Sequence, residues 1–222
     1  MKILHITIKA WTATFRLPLS YSGAGLTSPL PPYSTLLGLI GAVAGREIKF
    51  DETGIGYIFR SSGTAFDLET THRLFMNNGK LKYQKDTSIF KRQFHINPNL
   101  NLYLDNLSFK KYFEYPANSP CLGRSQDLAW ITNVEEIEAE EVRGGNIKGT
   151  LVPFPVPNAV GLILNLPDYF DNSEFGYTRG TGKLRTYQAI RYETPANIER
   201  KNLYKIEKTD TDEVIYLHSL NI

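Results

Sequence analysis

The chain has 222 residues and a mass of 25.2 kDa, enough for one large domain or one domain with a smaller appendage. With 41% hydrophobic and 12% aromatic residues it can bury a sizeable core, which excludes a disordered or collagen-like chain. No run of about 18 apolar residues is present, the N-terminus lacks the apolar block of a secretory signal, and the lone Cys121 excludes an internal disulfide or a cysteine-built zinc site. The expected location is therefore cytoplasmic. A net charge of +2 says little about partners, but its distribution says more. Arg73 to Lys111 holds eight basic residues against Asp86 and Asp105, and Gly176 to Tyr192 holds four basic residues and no acid. Between them, Asn133 to Val142 carries five glutamates and no base. Two basic islands on a near-neutral chain suit a localised polyanion track, or equally the solvated face of a hairpin.

In chain order, Ile3 to Ala10 alternates apolar and polar residues and predicts a half-buried strand. A Pro/Ser/Gly-rich connection from Arg16 to Pro32 follows. Ser34 to Gly45 then predicts a helix, with Ser34 as cap, a stripe of Leu36, Leu39, Ile40 and Val43, and Gly45 as the stop. Its interior glycines, Gly38 and Gly41, cost helix stability unless the helix packs closely on a sheet. Strands are expected at Gly56–Phe59, Ala65–Met76, Lys80–Lys85 and Ser88–Ile96, with Asn77-Asn78-Gly79 as a hairpin turn. A strand at Leu100–Leu104 leads to a short amphipathic segment at Ser108–Tyr115, the loop Pro116–Asp127 and a strand at Leu128–Thr132. Gly144-Gly145-Asn146 is the expected domain boundary, followed by strands at Val160–Leu166, Lys183–Tyr192 and Glu213–Leu220.

The stretch Thr71–Ile96 is long and polar for two strands covered by a compact core, so it predicts a projecting hairpin. It interleaves Lys80, Lys82, Tyr83, Lys85, Phe90, Lys91, Arg92, Phe94 and His95. Cations that track phosphates beside rings that stack on unpaired bases are the mixture that holds single-stranded nucleic acid. Phenylalanine is also a core residue, so at least one of Phe90 and Phe94 is expected inside. Gly123, Arg124 and Ser125 form a loop that can wrap a phosphate, with Arg124 as a fork donor, although a loop arginine is as readily salt-bridged. Gly176 to Arg185 is a second glycine-rich basic loop, carrying Arg179, Lys183 and Arg185, without Walker spacing. The four histidines lack metal-ligand spacing and no nucleophile elbow is present, so neither a metal, a cofactor nor a catalytic residue is expected. Lys91, His95 and nearby tyrosines could in principle cleave RNA without metal by acid–base chemistry.

The opening strand, the Arg16–Pro32 loop, the helix Pro32-Tyr33-Ser34-Thr35-Leu36-Leu37-Gly38-Leu39-Ile40-Gly41 and the later Leu122-Gly123-Arg124-Ser125 resemble a known family. It is the fifth CRISPR-associated (Cas) protein family of the RAMP superfamily, a subunit of the type I interference complex Cascade, and the likeness is closest to type I-B. The resemblance covers the chain up to about residue 130. It implies an α+β fold: a ferredoxin-like, RRM-type domain over residues 1–146, with a hairpin thumb at about 71–96, and a smaller β-rich C-terminal extension over 147–222. It also implies that the protein caps the 5′ handle of the CRISPR RNA, touches the backbone and large subunits, and displaces a guide base with the hairpin Tyr83–His95. Ser34 and Thr35 at the helix N-terminus, Arg16 and the Gly123-Arg124-Ser125 loop would then meet the handle's phosphates. Members of one subtype cut the precursor RNA with a Tyr/Lys/His set, so a metal-independent endoribonuclease is the alternative reading. A small-ligand β-rich binding protein is a third.

Overall fold

In the computed structural model of this chain, the described residues are 1–17, 24–49, 51–84, 88–171, 180–181, 184–207 and 213–219. The chain opens with β1 (Lys2–Ala10), β2 (Thr12–Ala13), β3 (Ala24–Gly25), helix α1 (Tyr33–Ala44) and β4 (Ile55–Arg60). A ribbon follows, made of β5 (Gly63–Thr71), β6 (Leu74–Asn77), β7 (Lys80–Tyr83) and β8 (Ser88–Ile96). Then come β9 (Asn99–Leu104), a 3₁₀ turn at Leu107–Phe109, α2 (Lys110–Glu114), β10 (Ala129–Ile147) and β11 (Thr150–Pro153). The remainder is β12 (Leu162–Pro167), β13 (Phe170–Asp171), β14 (Gly180–Thr181), β15 (Leu184–Ile190), β16 (Ala196–Ile206) and β17 (Glu213–His218). The fold is α+β and rich in sheet. No described helix is long and apolar enough to cross a membrane.

The alternation expected in β1 is what fixes the sheet's two sides. Leu4, Ile6, Ile8 and Ala10 are buried in one cluster with Leu36, Leu39, Ile40 and Val43 of α1, so the helix covers that face. Each such leucine, isoleucine or valine taken out of water contributes roughly 1.5–3 kcal/mol. The next strands run in the order β10-β1-β9-β4, every neighbour antiparallel. On the other face Ile3, Ile58, Tyr103 and Ile137 meet Ile206 and Ile215. Those last two come from β16 and β17, which close the sheet into a six-stranded barrel by pairing β16 with the second half of β10 and β17 with β4.

Several expectations shift. The helix starts one residue before Ser34: Pro32, at φ −61° and ψ 148°, is the cap and offers its carbonyl to Thr35 and Leu36, with no side-chain cap. Gly45 ends the helix in the left-handed conformation, as expected. The interior glycines do not serve sheet packing. A Cβ on Gly38 would meet open space, and one on Gly41 would lie 3.0 Å from the Arg46 carbonyl, where the chain reverses. Gly144-Gly145-Asn146 lies inside β10, paired to Glu199, Ile198 and Asn197. Strands before and after it share the barrel. The strand expected at Leu128–Thr132 extends to Ile147, and β11 and β16 are additions.

Candidate nucleic-acid interface

β5 and β8 pair over nine residues, from Gly63↔Ile96 to Thr71↔Ser88, and β6 with β7 forms the tip. Asn78 (φ 50°) and Gly79 (φ 71°) make the two-residue turn, both in the positive-φ region that such a hairpin requires. Directly paired residues share a face. One face of the ribbon therefore carries Phe66 with Gln93, Leu68 with Lys91 and Thr70 with Ile89. The Lys91 ammonium lies 4.4 Å from the centre of the Phe66 ring. At the tip every residue of β6 and β7 is exposed. Phe75, Lys80 and Lys82 stand on one side and Leu74, Met76, Leu81 and Tyr83 on the other. The Tyr83 hydroxyl bonds His72 Nδ1 at 2.7 Å. Among the described residues, Lys80, Lys82 and Lys91 have no carboxylate partner.

The root of the ribbon differs. Arg92 Nε bonds Glu69 at 2.8 Å, and Glu69 also accepts from Arg124 Nη1 at 2.5 Å. Arg124 turns its Nε and Nη2 onto Asp127, at 3.0 Å each, and the fully buried Asp127 takes a further bond from Thr12 at 2.6 Å. Burial pushes the Asp127 carboxyl up, but the bonds from Arg124 and Thr12 outweigh it, so its net shift is downward. Arg124, expected as a phosphate fork, is thus a clamp tying the loop to the ribbon. Gly123, at φ 111°, lets that loop approach: a Cβ there would lie 1.8 Å from the Thr14 carbonyl oxygen. Ser125 is exposed beside it.

His95 is 3% exposed, lies against the rings of Phe15 and Phe59, donates from Nε2 to the Ser28 carbonyl at 2.8 Å and meets the Ser61 hydroxyl through Nδ1 at 3.1 Å. Burial holds its pKa below the ordinary value, so it is neutral. It offers no surface to RNA here, and Phe94 beside it is half-buried. Ser34 and Thr35 are half-buried next to buried Pro31, Pro32 and Tyr33, while Arg16 is exposed and bridges Thr27. Arg185 pairs with buried Asp168 at 3.1 Å. Arg179, Lys183 and Lys85 lie outside the described residues.

Asp168 also accepts from the Tyr187 hydroxyl, which sits 2.9 Å from His218 Nε2. Burial, with Arg185 and Arg200 nearby, holds His218 down to about 3. With His218 and Asp168 each 1% exposed, this network is an internal brace rather than a substrate site. No cluster of His, Cys, Asp or Glu among the described residues is placed to hold a metal ion.

Beside the ribbon root opens a cleft of about 490 Å³, lined by Thr27, Arg60, Ser62, Gln93, Arg191 and Tyr192 among others, with Glu193 as its carboxylate. Arg60 escaped the sequence reading because it ends a strand outside any basic run, and Arg191, although counted in the second basic island, carried no motif that singled it out; it follows the last residue of β15. Phe66 escaped because its cation, Lys91, comes from the partner strand.

No family model and no curated protein matches the chain in sequence. Solved structures match in fold. A chain of a CRISPR RNA-guided surveillance complex superposes with a TM-score of 0.55 at 15% identity, covering 89% of this chain and 91% of that one. A CRISPR protein from Archaeoglobus fulgidus gives 0.51 at 11% identity, covering 97% and 98%. A chain of the type III-B Cmr-beta complex bound to cognate target RNA gives 0.55 at 9% identity, covering 99% of both. At these identities the likeness is one of fold, and it spans most of each chain.

Proposed function

We propose that this protein is an RNA-binding subunit of a CRISPR effector complex, capturing single-stranded RNA along the distal ribbon and the cleft at its root. The observation that carries this is the ribbon itself. Its lysines 80, 82 and 91 lack carboxylate partners among the described residues and stand among exposed rings, on a fold shared with chains of CRISPR complexes. Lysines there would follow phosphates while Phe66, Phe75 and Tyr83 offer flat faces to bases, each stacked base contributing about 1–3 kcal/mol. The element order β1-α1-β4-β9-α2-β10, with sheet order β10-β1-β9-β4, supports an RRM-type, ferredoxin-like assignment.

The finer assignment is a type I Cascade subunit, closest to type I-B, that caps the 5′ handle of the guide and contacts the backbone and large subunits in the cytoplasm. It rests on the Ser34–Gly38 helix and the Leu122–Ser125 loop, which resemble the fifth CRISPR-associated family. In this reading the tip around Tyr83 displaces a guide base, Lys82 and Lys91 hold phosphates, and Arg16, Ser125, Arg179 and Lys183 are further contacts to the handle. Arg92, Arg124, Phe94 and His95 shape the root. Cleavage by Lys91 with His95 would require a surface histidine.

Incubating the purified protein with labelled repeat RNA in EDTA tests this. The expected result is uncut RNA retained with an affinity that falls steeply with salt. Discrete cleavage within the repeat would replace it with the metal-independent endoribonuclease, and salt-independent or absent RNA affinity would overturn it.

A further inference from the structure

The face of the sheet turned away from α1 ends in a row of side chains set by strand register. Trp130 pairs with Lys9, Lys9 with Asn99, and Asn99 with Arg60, so all four point the same way across β10, β1, β9 and β4. Trp11 follows β1, held opposite Asn97 by the bond from the Asn97 amide to its carbonyl (2.9 Å). Its ring centre is 5.6 Å from that of Trp130, with the planes tilted by 55°. Together these residues line an open cavity of about 430 Å³.

Its chemistry is specific. Trp11 is 74% exposed and Trp130 40%, and they are the two tryptophans of the chain. Large rings left in water mark a binding surface. The charged residues lining the cavity are Lys9 and Arg60, with no carboxylate among the lining residues, and neither cation has a carboxylate partner among the described residues. Asn97 and Asn99 add amides able both to donate and to accept. A protein-docking patch has an apolar centre, whereas beyond the two rings this lining is mostly polar or cationic. An open ring face beside two cations and two amides suits an unpaired base with its phosphate. The cavity also adjoins the ribbon-root cleft, because Arg60, Ser61 and Ser62 line both.

We propose that the Trp11–Trp130 cavity is a nucleobase-stacking pocket that takes one unpaired nucleotide of the strand held by the ribbon; it rests on the RNA-binding reading above. Because all tryptophan emission arises here, the test reads the site directly. The full chain is titrated with a short unstructured oligoadenylate carrying a fluorescein label, following label anisotropy and tryptophan emission together. The expected result is quenching of emission that tracks the anisotropy rise, and a roughly ten-fold weaker affinity in Trp11→Ala, with Trp11→Phe close to wild type. Trp11 is exposed, so the variant should keep its melting temperature. An anisotropy rise with unchanged emission, or unchanged affinity in Trp11→Ala, overturns the pocket alone and returns the pair to a protein-docking role. No anisotropy change at any concentration overturns the RNA-binding reading and the pocket with it.

Discussion

The two halves of the ribbon are written in similar residues and do opposite work. At the root, Arg92, Glu69, Arg124 and Asp127 neutralise one another, His95 is sealed against Phe15 and Phe59, and Gln93 bonds Thr64 and the Thr27 amide. At the tip and along the face that carries Phe66 and Lys91, Leu68, Leu74, Met76, Leu81 and Ile89 are exposed, and Lys80, Lys82 and Lys91 have no carboxylate partner among the described residues. A two-stranded ribbon is marginally stable alone. The root network anchors a distal half whose exposed rings and ammonium groups are then available to a ligand. Basic-aromatic composition marks both halves; pairing and burial tell them apart.

The largest expected effect lies at the root. Asp127→Ala removes the buried acceptor of Arg124 and Thr12 and should cost about 3–5 kcal/mol of stability, read as a lowered midpoint in chemical denaturation. A variant that keeps its midpoint but loses RNA would move this cluster from scaffold to interface. Acidification should follow. His218, held down to about 3, and His95, also lowered, are neutral in the folded chain and take up protons in the unfolded one below the ordinary histidine value. The stability they contribute is complete above about pH 6.5. It declines as the pH falls towards 3, by up to about 1.4 kcal/mol per pH unit for His218. His218→Gln should flatten that decline in a series of melts; an unchanged slope would show that His218 is not the group responsible. On the ribbon's exposed face, Phe66→Ala should alter stability by less than about 0.5 kcal/mol yet weaken RNA binding by about 1–3 kcal/mol. Equal losses in both would merge the two halves. The subtlest effect is electrostatic: Lys82→Ala with Lys91→Ala should reduce the slope of log affinity against log salt by about 1.4, two single-strand phosphates' worth, with the melt unmoved.

Much of the fold was legible where one face dominates. β1 alternates because its even residues meet α1, the Asn78-Gly79 turn carries its own conformational demand, and α1 ends where Gly45 allows it to. β16 was not legible, since Ala196–Ile206 mixes Glu199, Arg200 and Lys201 with apolar residues whose burial depends on β10 and β17 across the barrel. The second half of β10 was hidden likewise: its glutamates read as a charge run, yet Ile137 and Ala139 between them turn inward. Of the candidate site, the projecting hairpin and its lysines followed from length and composition. The engagement of Arg92 and Arg124 did not, because their partners Glu69 and Asp127 lie on other strands or within a loop whose folding brings them together. Trp11 and Trp130 are 119 positions apart in sequence and meet only through the pairing of β1 with β10.

Ultraviolet cross-linking of single-stranded RNA to the full chain, with the joined peptides identified by mass spectrometry, asks most directly which surface holds the strand. Cross-links concentrated between Leu74 and Tyr83 and around Phe66 and Lys91, absent from Arg124 itself, are the outcome expected. Cross-links confined to the acidic stretch of β10 or to β16, with the distal ribbon unmarked, would contradict it.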